Sequence, residues 1–286
     1  MLIQFDCCEC IIKQALRLAR DVDSSPDRRW QYFRETLELF QQHHRTATPP
    51  EMAAYYFDLF ARQSGISDGF TEIKERSTRL ALELYDEMET LCAAAGANEF
   101  ITRLKLAVSG NMIDYGVNPD FDLSQAEEMI REVLTLPCDD NAVSDLKQRI
   151  QQAGKIVYIL DNCGEAVFDR IFMEPYKDKI TLGVRGCPAL NDVTAEDLPD
   201  CDLAGWNYIK NGPSGVPGTI LTECSDEFKT AFEHADLIIA KGQGNFETMN
   251  EYPHPMAFLF LAKCPVVIRA IGAELNSIQI RLHNLK

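Results

Sequence analysis

The chain has 286 residues, 46% of them hydrophobic, and carries 44 acidic against 28 basic side chains for a formal charge of −16. That length supports a sizeable core, arranged as one large domain or two modest ones. The negative field excludes a surface built for nucleic acid or for an anionic membrane, so a phosphate-bearing ligand must be held by a local cation or metal.

The start, MLIQFDCCEC, lacks the basic segment and long apolar stretch of a signal peptide. No apolar run reaches the roughly 18 residues of a membrane span. Ten cysteines are scattered through a chain too large to need stapling, which reads as reduced thiols in a cytoplasmic protein. Cys7, Cys8 and Cys10 open the first helical pattern, and no second Cys-x-x-Cys accompanies them. They are expected to be buried or idle thiols, with metal and redox roles left open.

Apolar residues then recur at helical spacing in CIIKQALRLAR, WQYFRETLELFQQ, EMAAYYFDLFARQSG and TRLALELYDEMETLCAAAG. Ser24, Ser25 and Pro26, then Thr48 with Pro49 and Pro50, read as helix starts, and Gly65 and Gly96 as helix ends. AVSDLKQRIQQAG is one more amphipathic helix, so residues 1–150 are expected to form a mainly helical domain. After Gly154 the apolar residues come as short runs rich in Ile and Val: KIVYIL, KITLGV, ADLIIAK and PVVIRAI. Such runs suit strands covered on both faces, and the segments between them leave room for crossover helices. Residues 151–286 therefore read as an α/β domain with a mainly parallel sheet. GWNYIKNGPSGVPGT, rich in Gly and Pro, reads as a mobile surface loop.

In a parallel sheet, ligands sit beyond the carboxyl ends of the strands. After KIVYIL comes Asp161-Asn162-Cys163-Gly164-Glu165; after KITLGV come Arg185-Gly186 and then Asn191-Asp192; after ADLIIA comes Lys241-Gly242-Gln243-Gly244-Asn245. If these exits meet, Asp161, Asn162 and Asp192 offer hard oxygen ligands that suit Mg²⁺, Mn²⁺ or another divalent ion such as Co²⁺ or Ni²⁺. Lys241 and Arg185 would balance phosphate charge, and the backbone N–H groups of Gly242 to Gly244 would cradle its oxygens beside Asn245. The chemistry implied is metal-assisted phosphoryl hydrolysis. Each segment alone also suits a turn or helix cap; the coincidence at three strand exits favours a site. Asn111 and Asp114 in GNMIDYG stand where the two halves join, with substrate contact and helix capping both open for Asn111. Glu165 and Glu247 would orient a ligand or complement a helix dipole. The five histidines form no spacing that suggests a site.

The motifs LDNCGEAVFD, VRGCPALNDVT, ADLIIAKGQGNFE and SGNMIDYGV resemble those of the family once called domain of unknown function 89, the damage-control phosphatases or acidic-residue-methyltransferase-1-like proteins. The opening, with Cys7 and Cys10, is similar to the prokaryotic subfamily that begins with Cys-x-x-Cys. The resemblance implies a helical domain packed on a Rossmann-like α/β domain, and a divalent-metal-dependent phosphatase acting on small phosphorylated metabolites such as sugar phosphates. In that family the metal is held by an Asp-Asn pair and a later Asp, matching Asp161, Asn162 and Asp192, and the lysine matching Lys241 is associated with phosphate. Many members have Ala where this chain has Cys163, a small change that leaves the ligands intact.

Other classes stay open. A carboxyl methyltransferase using S-adenosylmethionine would normally end its first strand in a glycine-rich loop, where this chain has Asp161 and Asn162. A haloacid-dehalogenase-like phosphatase would carry a second Asp at the place of Cys163. A non-catalytic protein that only binds a phosphometabolite would need the same groups. The physiological substrate, the attacking group (water or carboxylate) and the oligomeric state have no readable signature.

Overall fold

A computed structural model describes residues 1–22, 25–66, 68–110 and 123–284. Among them the first half is helical: α1 (Cys7–Val22), α2 (Pro26–His43), α3 (Pro49–Ser64), α4 (Thr71–Ala94), α5 (Glu99–Ser109), α6 (Leu123–Thr135) and α7 (Asp140–Gln152). Local chemistry sets their ends. Thr48 and Glu51 form a reciprocal capping box at the start of α3, and Gly65 closes that helix in the left-handed conformation. Asp139 caps α7 through the amides of Asn141 and Ala142.

The second half builds one six-stranded sheet. Its strands are β1 (Ile156–Ile159), β2 (Ile180–Val184), β3 (Tyr208–Lys210), β4 (Leu237–Lys241), β5 (Met256–Leu261) and β6 (Ile278–His283), in the order β3-β2-β1-β4-β5-β6. The first five run parallel and β6 is antiparallel to β5. The order reverses between β1 and β4, so the loops leaving these two strands diverge to opposite faces and open a crevice between them. Alternation along the strands divides the core. Ile156, Tyr158, Leu182 and Ile239 face one cluster with α4 to α7 and α8 (Cys163–Met173). Val157, Ile159, Ile238 and Phe258 face another with α9 (Asp226–Glu233), α10 (Gly242–Met249) and α11 (Pro265–Ile271). The first three helices form a third cluster, which Val266 of α11 joins.

The first cluster runs from Leu80 to Ile280 without a break at residue 150. Helices α4 and α8 approach so closely that a Cβ on Gly164 would lie 2.8 Å from the Ser77 Cβ. Among the described residues no helix is long and apolar enough to cross a membrane, and all ten cysteines are free.

Two sequence expectations fail. PVVIRAI, expected as a strand, is α11: Pro265 occupies its first turn, Gly272 ends it at φ 66°, and only Val266 and Val267 are buried. A short apolar run has no decisive period, and here one-sided burial selects the helix. The strand of that region is the continuous run MAFLFL of β5, buried along its whole length. GWNYIKNGPSGVPGT, expected as a surface loop, contains β3 and ends in the buried Gly218 and Thr219. Asn211 in the same stretch is also buried and accepts from the Gly186 amide at 3.1 Å. The stretch is exposed at Tyr208, Lys210 and Pro213 but dips into the interior at Asn211, Gly218 and Thr219, where composition alone suggests only surface.

Candidate active site

β1 ends at Ile159, and the chain continues through Leu160 and Asp161 to Asn162, the residue before α8. The segment after β2 folds back against it. Val193 donates its amide to the Asp161 carbonyl at 2.8 Å, Cys163 donates to the Asn191 carbonyl at 3.0 Å, and Asn162 pairs with Asp192 in an antiparallel bridge. Backbone pairing thus brings Asp161, Asn162 and Asp192 together. The Asn162 amide donates to Asp161 Oδ2 at 3.2 Å, which leaves the carbonyl oxygen of that amide as its hard donor.

Arg185 leaves the end of β2 almost fully buried, 1% exposed. Its Nε donates to Asp192 Oδ2 at 2.6 Å, its Nη1 donates to the Gly218 carbonyl and to Thr219 Oγ1, and both terminal nitrogens reach Asn245 Oδ1 at 3.4 Å. The guanidinium lies 3.9 Å from Asp161 Oδ1. These contacts use the planar fork of the arginine to fix Asp192 from behind.

Lys241 ends β4 with its side chain in the core. Its Nζ donates to Glu165 Oε1 at 2.6 Å, Asp169 Oδ1 at 2.6 Å and the Ala107 carbonyl at 3.0 Å, so all three donors are engaged. Tyr158 of β1 also donates to Asp169 Oδ1, at 2.8 Å, while Asp169 Oδ2 is buried without a hydrogen-bond partner. The next residue turns back toward Asp161. Gly242 has φ 79°, and a Cβ there would lie 2.0 Å from Asp161 Oδ2, so only glycine fits where the start of α10 meets the carboxylate. Gly244 lies in that first turn, and Asn245 is buried with its amide donating to the Lys241 carbonyl at 2.7 Å.

Asp161, Glu165, Asp169 and Asp192 are all buried, with Arg185 and Lys241 among them. Four carboxylates against two cations leave this cluster a formal charge of −2. Burial pushes the Asp161 carboxyl well above its usual range, and Asp192 and Glu165 push it the same way against Arg185 and Lys241. Burial also raises Asp192, and it raises Asp169 to about 7 despite Lys241. Burial alone would lower the Lys241 ammonium, but Asp169 and Glu165 outweigh it and raise it.

Among the described residues no three His, Cys, Asp or Glu side chains are grouped to hold a metal by themselves. Two carboxylates and an amide oxygen nonetheless form a hard donor set, of the kind that leaves further coordination positions to water and substrate. The surplus of two negative charges matches one divalent cation. Asn111 and Asp114 lie outside the described residues. Sequence reasoning missed Asp169, although Glu165 and Asp169 stand four apart, the spacing of one face of α8. It also missed Tyr158, which meets Asp169 11 positions on, and Gly218 and Thr219, which meet Arg185 33 and 34 positions back.

Glu247, on the far side of α10, stands apart from this cluster. It accepts from Gln243 Nε2 at 2.9 Å, and burial raises its carboxyl to about 7, opposed by Gln243 and the chain's amino terminus. A raised carboxyl pKa means that the folded state holds the proton more tightly than the unfolded state. The contribution of this one carboxyl to stability is therefore full below about pH 4.5 and falls by up to about 3 kcal/mol as pH rises through about 7. Glu247→Gln keeps the acceptor and removes this loss, so its urea midpoint should exceed that of the native chain at pH 8 and match it near pH 4. Equal midpoints at both pH values would refute the assignment.

Hard ligands, a buried negative surplus and a glycine-bounded helix start at the crevice of a doubly wound sheet suit a protein that handles a cation and a phosphate together. The chain matches the Damage-control phosphatase ARMT1-like domain over residues 3–278 and belongs to that family. It is 31% identical over 279 residues to Damage-control phosphatase PH1575 of Pyrococcus horikoshii, covering 95% of this chain and 94% of the relative. It is 34% identical over 220 residues to a Damage-control phosphatase of Archaeoglobus fulgidus, covering 74% and 75%. The crystal structure of the DUF89 family protein PH1575 superposes with a TM-score of 0.84 at 30% identity, covering 100% of both chains.

Proposed function

We propose that the chain is a metabolite-repair phosphatase that hydrolyses small phosphomonoesters with a divalent cation held by Asp161, Asn162 and Asp192. The observation that carries this reading is the buried cluster with two more carboxylates than cations, set at the carboxyl ends of β1, β2 and β4. A bound Mg²⁺, Mn²⁺, Co²⁺ or Ni²⁺ would polarise the phosphoryl group and compensate charge on the leaving oxygen.

The chain's own residues do the rest. Arg185 holds Asp192 in place and keeps the Gly218–Thr219 turn against the site. The first amides of α10 favour phosphate oxygens through the positive end of the helix, and Gly242 lets that backbone come close. Lys241, whose donors are all engaged, is assigned to charge balance and to fixing α10 against α8; direct phosphate contact would require it to release a carboxylate. We further assign residues 1–150 to a helical unit and 151–286 to a Rossmann-like unit carrying the site, and the chain to the subfamily opening with Cys-x-x-Cys.

The test is phosphate release from a panel of phosphomonoesters before and after EDTA, followed by each of the four cations. Activity should vanish on chelation and return with at least one cation. Turnover that survives chelation would rule out the metal-dependent mechanism.

A further inference from the structure

Two cavities of about 410 and 390 Å³ lie between α3, the loop before α4 and the loop before Asp192. They share Phe57, Phe60, Ile66, Gly69, Phe70 and Leu190, and so form one apolar cleft in two chambers. Phe57 and Phe70 meet edge to face at 5.4 Å, while Ile66 is left 44% exposed.

Of the three acids beside the cleft, Asp58 and Asp68 are engaged by the chain itself. Asp58 pairs with Arg62 at 3.1 Å, and Asp68 pairs with Lys74 at 3.5 Å and accepts from the Phe70 amide at 2.9 Å. Polar groups at the second chamber, including Arg17 and Asp21, come from α1. The surface that remains uncovered is mainly hydrocarbon.

Leu190 joins this cleft to the chemistry. It adopts φ 52°, a left-handed conformation that a bulky side chain rarely takes. The turn holds it there, because the Asp192 amide donates to the Ala189 carbonyl and the Cys163 amide to the Asn191 carbonyl, each at 3.0 Å. Strain maintained by surrounding hydrogen bonds is typical of ligand-contacting turns. One short turn therefore presents Leu190 to the cleft and Asp192 to the charged cluster.

We infer that the organic part of the substrate lies in this cleft, so that the protein prefers phosphomonoesters whose alcohol presents a hydrocarbon surface to those hydroxylated along their length. The inference rests on the phosphatase reading for its chemistry and on the cleft for its selectivity. Apolar contact discriminates per methylene, since each carbon buried leaves water.

The experiment compares n-hexyl phosphate with glycerol 3-phosphate, which both leave as primary alkoxides, using whichever cation supports turnover. The expected ratio of kcat/KM is at least about tenfold in favour of hexyl phosphate, and Phe70→Ala should reduce that ratio at least about fivefold. Calorimetric binding of hexylphosphonate and methylphosphonate to the native protein gives a second readout that needs neither turnover nor a variant. Equal kcat/KM for the two esters, or equal affinity for the two phosphonates, overturns the inference. Tighter binding of hexylphosphonate without turnover of any ester would support the cleft while removing the phosphatase reading.

Discussion

Asp192→Asn is expected to lower phosphate release by on the order of 10² to 10³-fold while leaving the protein folded. The substitution keeps an acceptor for Arg185 Nε, now 2.6 Å from the carboxylate, but removes the charge that the proposed cation needs. Asp192→Ala should do more harm. It strands a guanidinium that is 1% exposed, and an uncompensated buried charge costs about 3 kcal/mol or more. Phosphate release and urea denaturation of the two variants separate these effects: Asn is inactive and stable, Ala inactive and destabilised. Full turnover in Asp192→Asn would remove Asp192 from the mechanism.

The second large effect is expected at Gly242. An alanine there must adopt φ 79° with its methyl carbon 2.0 Å from Asp161 Oδ2. No rotamer change relieves a Cβ clash, so either the Asp161 carboxylate or the start of α10 must move. Gly242→Ala should therefore lose nearly all activity and at least about 2 kcal/mol of stability, the range for strain combined with a buried clash. Gly205 provides the comparison, with φ 79° and no atom within 4 Å of its would-be Cβ. Gly205→Ala carries the backbone strain alone and should retain turnover. If Gly242→Ala keeps the activity of Gly205→Ala, the close approach to Asp161 has no functional weight.

Much of this site is legible in the sequence because each half of it is local. A strand ending in Asp161-Asn162, a later Asp192 and a glycine-bounded Lys241 all follow short apolar runs, and a parallel sheet gathers the ends of such runs at one edge. What the sequence leaves unreadable is the direction of each side chain. Lys241 stands in a motif that suggests an anion, yet its Nζ turns inward to Glu165, Asp169 and Ala107. That choice depends on two carboxylates one and two helical turns into α8 and on a carbonyl 134 positions earlier, which no local pattern reports. The same holds for α11 and for Gly218–Thr219. Apolar content and glycine content are local, but the layer against which a segment packs is a property of the whole fold. The element types of residues 1–150 were the easiest to read, since helical spacing there persists over three or more turns and the caps at Thr48 and Asp139 use local hydrogen bonds.

The inward lysine also bears on the order in which the chain can assemble. Glu165 and Asp169 follow β1 directly, yet the ammonium that makes their burial tolerable arrives 76 and 72 residues later and also closes on Ala107. Until β4 enters the sheet, the interior between α5 and α8 would have to hold two carboxylates without that cation, a costly arrangement in a medium of low polarity. Long-range closures of this kind come late because the loop entropy is lost before the contact forms. The interior between α5 and α8 is thus expected to close only when β4 enters the sheet.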